Sequence, residues 1–230
     1  MAGDDLEAVI RRADPDRWLS TRFIGEPELR SDVVAIYAYD QELSRAGRLT
    51  SNALMAEIRL TWWREALDEI YGGGAVRFHP VAGALTESIR HHDLPRAPLE
   101  AMIDGRIRAL DAPTLTVNEA VRWSVDVAGS ASMTAGLILD SGVSVSTTAA
   151  AGALWGLFAL ARAGLVERLA ATDYIAARMP AVSRAAARLS AKAFPAVAHA
   201  TFARDLRRAK PLGPTAARGR MILAVITGRL

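Results

Sequence analysis

The chain has 230 residues, 51% hydrophobic and 23% charged, with no cysteine and a formal net charge of +3. The absence of thiols excludes disulfide scaffolds, thiolate zinc sites, iron–sulfur clusters and cysteine nucleophiles, and the apolar fraction excludes a disordered chain. A length of 230 residues suffices for one domain, 1–230, with a substantial core.

The charge is graded along the chain. Residues 1–120 hold 20 acids against 14 bases, and residues 121–230 hold 5 against 14; of the 28 basic residues only Lys192 and Lys210 are lysine. Met1-Ala2-Gly3-Asp4-Asp5 is acidic where a secretory signal is basic, so a cytoplasmic protein is expected. The basic second half adds the expectation of peripheral contact with an anionic membrane face or with an acidic protein.

Glycine and proline divide the chain into segments whose apolar residues recur at helical spacing, which predicts an all-α fold of nine or ten helices. Pro27 opens a helix with the stripe Leu29, Val33, Ile36, Asp40 and Leu43. The next begins near Thr50/Ser51 and stops at Gly72-Gly73-Gly74. Pro80 opens a third that ends around His91-His92, and Pro95 or Pro98 a fourth that runs to about Asp111. Thr116-Val117-Asn118-Glu119 fits a capping box for a helix reaching Leu139, whose Ala128-Gly129-Ser130-Ala131-Ser132 stretch lets a backbone or a ligand approach closely. Further helices are predicted at about 146–164, 172–190, 194–209 and 215–227. The uncharged run Ser141–Ala161 has a continuous apolar part only from Ala149 to Ala161, too short for a bilayer, and reads as a buried helix.

Motifs for hydrolytic or nucleotide chemistry are missing. No serine lies in a Gly-x-Ser-x-Gly turn, His79, His91, His92 and His199 show no metal-ligand spacing, and Gly72-Gly73-Gly74 lacks the lysine of a phosphate loop. From Tyr174 onward 11 bases face Asp205 alone, without interleaved aromatics, which fits a solvated basic face, an anionic membrane or a protein partner and not nucleic acid. Asp40 is the exception on an apolar stripe. A carboxylate there needs a partner, either an arginine of the next helix, such as Arg59 or Arg64, or a polar cavity.

The stretch Ile58-Arg59-Leu60-Thr61-Trp62-Trp63-Arg64-Glu65-Ala66-Leu67-Asp68-Glu69-Ile70-Tyr71-Gly72-Gly73 resembles the squalene/phytoene synthase family, as do His79-Pro80-Val81, Met102-Ile103-Asp104-Gly105-Arg106, Tyr37-Ala38-Tyr39 and Val127-Ala128-Gly129-Ser130. The resemblance runs over about residues 15–165. It implies the isoprenoid-synthase fold, helices around a central cavity, and head-to-head joining of two prenyl diphosphates on magnesium held by two aspartate-rich motifs.

The chain departs from that pattern where the metal would be held. The family's first Asp-Asp-x-x-Asp motif falls on Ser44-Arg45-Ala46-Gly47-Arg48. In the second motif the expected Asn and Asp fall on Ala159 and Ala163, with Arg162 retained, and a further expected aspartate falls on Ala109, with Asp104 and Asp111 nearby. Asp40-Gln41-Glu42-Leu43-Ser44-Arg45, Trp62-Trp63-Arg64 and Lys192-Ala193-Phe194-Pro195 are similar to a branch lacking these motifs, typified by a mitochondrial respiratory complex I assembly factor. The resemblance thus implies a non-catalytic assembly or binding factor with no metal or other cofactor, partnered by a respiratory complex subunit or a membrane. Two alternatives stand beside it. One is an active transferase using magnesium, with Asp40 paired to Asp104 or Asp111; the other is a carrier of a prenyl or lipid phosphate gripped by Arg45, Arg48 or Arg162.

Overall fold

The computed structural model describes residues 2–48, 53–208 and 212–230, in which every regular element is helical. One isolated parallel bridge, Leu115 to Val166, is the sole β pairing among the described residues. Among the described residues there are eleven α-helices, slightly more than expected; two of them precede the first predicted helix. These are α1 (Ala2–Ala13) and α2 (Pro15–Thr21). Asp14 caps α2 by accepting the Arg17 backbone N–H at 3.1 Å, and Pro15 sits in the first turn, where its missing donor costs nothing.

Helices α3 (Pro27–Arg48), α4 (Ala53–Tyr71), α5 (Pro80–His92) and α6 (Arg96–Ile107) correspond to the four predicted in this stretch; the expected start at Thr50/Ser51 lies outside the described residues, and α6 ends four residues before Asp111. His79 Nδ1 caps α5 by accepting the Val81 N–H at 3.2 Å. The capping box at Thr116 and Glu119 opens α7 (Val117–Ser124), with the Thr116 N–H donated to Glu119 Oε2 at 2.9 Å. The long helix expected to reach Leu139 contains a π turn, Val125–Gly129, before it resumes as α8 (Ser130–Leu139). Then come α9 (Val145–Arg162), α10 (Arg168–Ala186) and α11 (Pro214–Thr227). The segment expected as a helix at 194–209 is 3₁₀ instead, Phe194–Ala196 and Ala198–Arg207, with tight i to i+3 bonds such as Val197 N–H to Phe194 C=O at 3.0 Å.

Helix α9 is the axis of the packing, in contact with the π turn, α8, α10 and the 3₁₀ run, while α3 lies against α1, α4, α5 and α8. One apolar core runs through these contacts from Leu6 to Leu230. The Ala/Gly/Ser-rich stretch is approached by backbone. A Cβ at Gly152 would collide with the Ala128 carbonyl oxygen and the Ser132 side chain, one at Gly156 would lie 2.6 Å from Ala128 Cβ, and one at Gly105 of α6 would lie 2.8 Å from a Val127 methyl. The π turn and three glycines therefore bring α6, α8 and α9 to near-contact distances. The uncharged run forms most of α9, and no helix among the described residues is long and apolar enough to cross a membrane.

Candidate functional site

A cavity of about 650 Å³ lies where α2, α3, α6, α7 and α9 meet. Asp40 stands at its inner wall, only 2% exposed. Its Oδ2 accepts a hydrogen bond from Arg17 Nη1 at 2.7 Å, and its Oδ1 one from Arg106 Nη2, which also reaches the Asp40 carbonyl at 3.2 Å. Both guanidinium groups are backed by aromatic faces. Arg17 lies 4.1 Å from the Trp155 ring centre and 5.1 Å from that of Tyr37, and Arg106 lies 5.4 Å from that of Trp123. Stacking of this kind adds to the pairing when the cation is desolvated.

Asp14 is the second buried carboxylate at this wall. Its Oδ2 lies 3.2 Å from Arg17 Nε but out of hydrogen-bond alignment, so one guanidinium serves two acids and only Asp40 has a second arginine. The consequences are opposite. Burial pushes the Asp14 carboxyl up to about 6 despite Arg17. Burial also acts against ionised Asp40, but Arg106 and Arg17 together outweigh it and hold this carboxyl below the usual range. Asp16, at the rim, is raised by burial, partly offset by a 3.5 Å bond from Trp155 Nε1. Three acids and three arginines (Arg17, Arg106, Arg162) thus line a cavity with no excess of either charge.

Of the residues singled out by the sequence, Asp40, Ser44 and Arg162 line this cavity. The partner of Asp40 is corrected: it comes from α2 and α6, not from Arg59 or Arg64 of α4. Arg64 points to α6 and pairs with Asp104 at 2.5 Å on a partly exposed face, and Arg59 is half-buried away from the cavity. A carboxylate pair of Asp40 with Asp104 or Asp111 does not form, since Asp104 is held by Arg64 and Asp111 is exposed beyond the end of α6. Arg45 is exposed and bound to Glu42 at 2.8 Å. The Arg48 side chain lies outside the described residues. Arg162 is exposed at the mouth, where its guanidinium lies 5.4 Å from the Phe158 ring centre.

Sequence reasoning missed Asp14, Asp16, Arg17 and Arg106 as members of the site. The Asp14-Pro15 pair is a helix-start signature that would have placed α2, and Arg106 stands inside the quoted Asp104-Gly105-Arg106 string. It also gave no place to His199, fully buried 3.4 Å from the Ser132 hydroxyl, whose imidazole burial and then Arg17 hold well below its usual pKa.

Four of the positions at which the resemblance implies metal-binding or polar side chains are also on this wall, while Arg45 is turned to the surface. Ser44, Ala109, Ala159 and Ala163 all line the cavity. A magnesium ion takes six oxygen ligands in near-octahedral array, usually with one or more carboxylates. Those four side chains offer one hydroxyl, Asp40 is engaged by two arginines, and no three metal-ligating side chains converge among the described residues. The donor set does not fit a magnesium ion.

Comparison with known proteins places this geometry in context. Residues 10–163, more than half of the chain, match the model of the squalene/phytoene synthase family. Over 103 residues, 45% of this chain, the sequence is 28% identical to assembly factor 6 of NADH dehydrogenase (ubiquinone) complex I from Bos taurus and 26% identical to that from Homo sapiens. The match spans only 30% of the length of either relative. The fold is that of a dehydrosqualene synthase solved with a ligand, with a TM-score of 0.77, 13% identity, and 98% of this chain and 95% of that one covered. A squalene synthase from Alicyclobacillus acidocaldarius superposes with a TM-score of 0.71 at 12% identity, over 99% and 94% of the two chains. With its helices arranged as in these synthases and two thirds of its length under the family model, the chain belongs to the squalene/phytoene synthase family.

Proposed function

We propose that this protein is a non-catalytic member of its family that acts as an assembly or binding factor, in the manner of the complex I assembly factor it resembles, against a respiratory complex subunit at an anionic membrane face. The observation that carries this reading is the cavity wall itself. Where the resemblance implies side chains that hold magnesium against the diphosphate, the wall carries Ser44, Ala109, Ala159 and Ala163, and of its three acids Asp40 is paired with Arg17 and Arg106, Asp14 lies against Arg17 and Asp16 accepts from Trp155. The triad Arg17–Asp40–Arg106 ties α2, α3 and α6 together, a structural use for these charges.

Deleting the gene and following complex I assembly and NADH oxidation tests the role. Impaired assembly is expected, and normal assembly in the deletion strain would remove it. The carrier reading is weakened at two of its three anchors: Arg45 is bound to Glu42 at the surface, and Arg162 stands at the mouth rather than inside. Active transfer retains one supporting observation, a cavity of about 650 Å³ that side chains do not fill.

A further inference from the structure

A second concavity, of about 550 Å³, lies between α1, α2, the end of α9, the 3₁₀ run and α11, and meets the first only at Pro15, Asp16, Phe158 and Arg162. Its floor is apolar, with Trp18, Leu19, Phe202, Leu206 and Ala217 among its residues. Its rim carries Arg11, Arg162, Arg168, Arg208 and Arg218 against two acids, Asp16 and Asp205. Asp205 is already taken by Arg208 at 2.7 Å and by Arg220 at 3.2 Å, and Asp16 by Trp155. Arg168 is held in place by donating to the Leu206 carbonyl at 2.9 and 2.6 Å and to that of Arg208. Arg11, Arg162 and Arg218 are exposed and carry no ion pair among the described residues.

An apolar floor under uncompensated arginines is complementary to an anion that carries a hydrocarbon chain. The volume fits a small-molecule site and takes a headgroup with the first carbons of its chain, leaving the rest outside. Helix α11 provides for that remainder. Arg218, Ile222 and Ile226 recur at i, i+4 and i+8, so one strip runs from the rim arginine to two isoleucines that are 45% and 77% exposed. Leu223, 60% exposed, widens the strip. A helix that sets apolar side chains toward solvent beside arginines is suited to lie in the interface of an anionic bilayer.

We infer that this arginine-rimmed groove and the exposed strip of α11 bind one anionic membrane phospholipid, its phosphate among Arg11, Arg162 and Arg218 and its acyl chains emerging along Ile222 and Ile226. The inference deepens the membrane part of the function proposed above and rests on it, but it does not depend on whether the central cavity is catalytic.

Flotation of the full chain with vesicles tests it. Binding is expected to phosphatidylcholine vesicles containing phosphatidylglycerol and not to phosphatidylcholine alone. Arg11→Gln and Arg218→Gln each weaken it about fivefold, as expected for a basic residue near a lipid surface, and Ile226→Ser weakens it too. Arg90→Gln with Arg122→Gln, which removes two exposed charges on other helices, leaves binding unchanged. All five residues are exposed, and unaltered thermal unfolding of each variant confirms that the fold is intact. Equal weakening by the control pair would reduce the effect to diffuse charge and overturn the site. Absence of vesicle binding would overturn it outright. Displacement from vesicles by glycerol 3-phosphate alone would assign the rim to a soluble phosphate and overturn the lipid assignment. Normal complex I assembly in a deletion strain with intact vesicle binding would remove the assembly role and leave this site standing.

Discussion

Arg17 and Asp40, 23 residues apart in sequence, join through a 2.7 Å hydrogen bond that is 2% and 3% exposed on its two side chains. Removing one member of a buried pair leaves the other charge uncompensated. Asp40→Ala leaves Arg106 without its acid and Arg17 with Asp14 alone, and is expected to destabilise the fold by about 3–5 kcal/mol in urea unfolding. Asp104→Ala, which breaks the partly exposed 2.5 Å pair with Arg64, is expected to cost less than about 1 kcal/mol. Equal losses in the two variants would contradict the clamp.

The unequal sharing of Arg17 gives Asp14 and Asp40 opposite pH dependences. Asp14 titrates near 6 in the folded chain against 3.8 in the unfolded one, so between those values the folded state binds the extra proton. The stability it contributes is complete below about pH 4 and is lost as pH rises through about 6, an effect of about 2–3 kcal/mol. Asp14→Asn keeps the helix cap and cannot ionise. Its stability relative to the unsubstituted chain should therefore rise between pH 4 and pH 7, measured by chemical unfolding at each pH. Asp40, held below its usual range, contributes stability present above pH 3.8 and lost as pH falls further.

Of the described glycines, Gly152 leaves the least room for a Cβ, facing the Ala128 carbonyl and Ser132. Gly152→Ala forces α9 off the π turn, and an overpacking cost of about 1–3 kcal/mol or more is expected. Gly83→Ala, on a helix face with nothing within 4 Å of the added carbon, should be neutral or slightly stabilising. Thermal unfolding of the pair separates a steric effect from a general intolerance of alanine.

Much of the fold was legible because its signals are local. The capping box at Thr116–Glu119, the prolines opening α3 and α5 and the inward face of Asp40 are all read within one or two helical turns. The site was less legible because its pairing is not local. Arg106 reaches Asp40 over 66 residues, and nothing in the spacing of α3 distinguishes it from Arg59 or Arg64. The π turn was hidden for a different reason: Val125–Gly129 keeps helical backbone angles at both ends, and only the packing of α6 and α9 against it marks the place.

Incubating the purified chain with labelled farnesyl or geranylgeranyl diphosphate and magnesium, followed by product analysis, measures whether this cavity can ionise a prenyl diphosphate. Unchanged substrate is expected, because no carboxylate at positions 44, 109, 159 or 163 is there to hold the ion against the leaving group. Labelled squalene, phytoene or released diphosphate above a protein-free control would contradict the account.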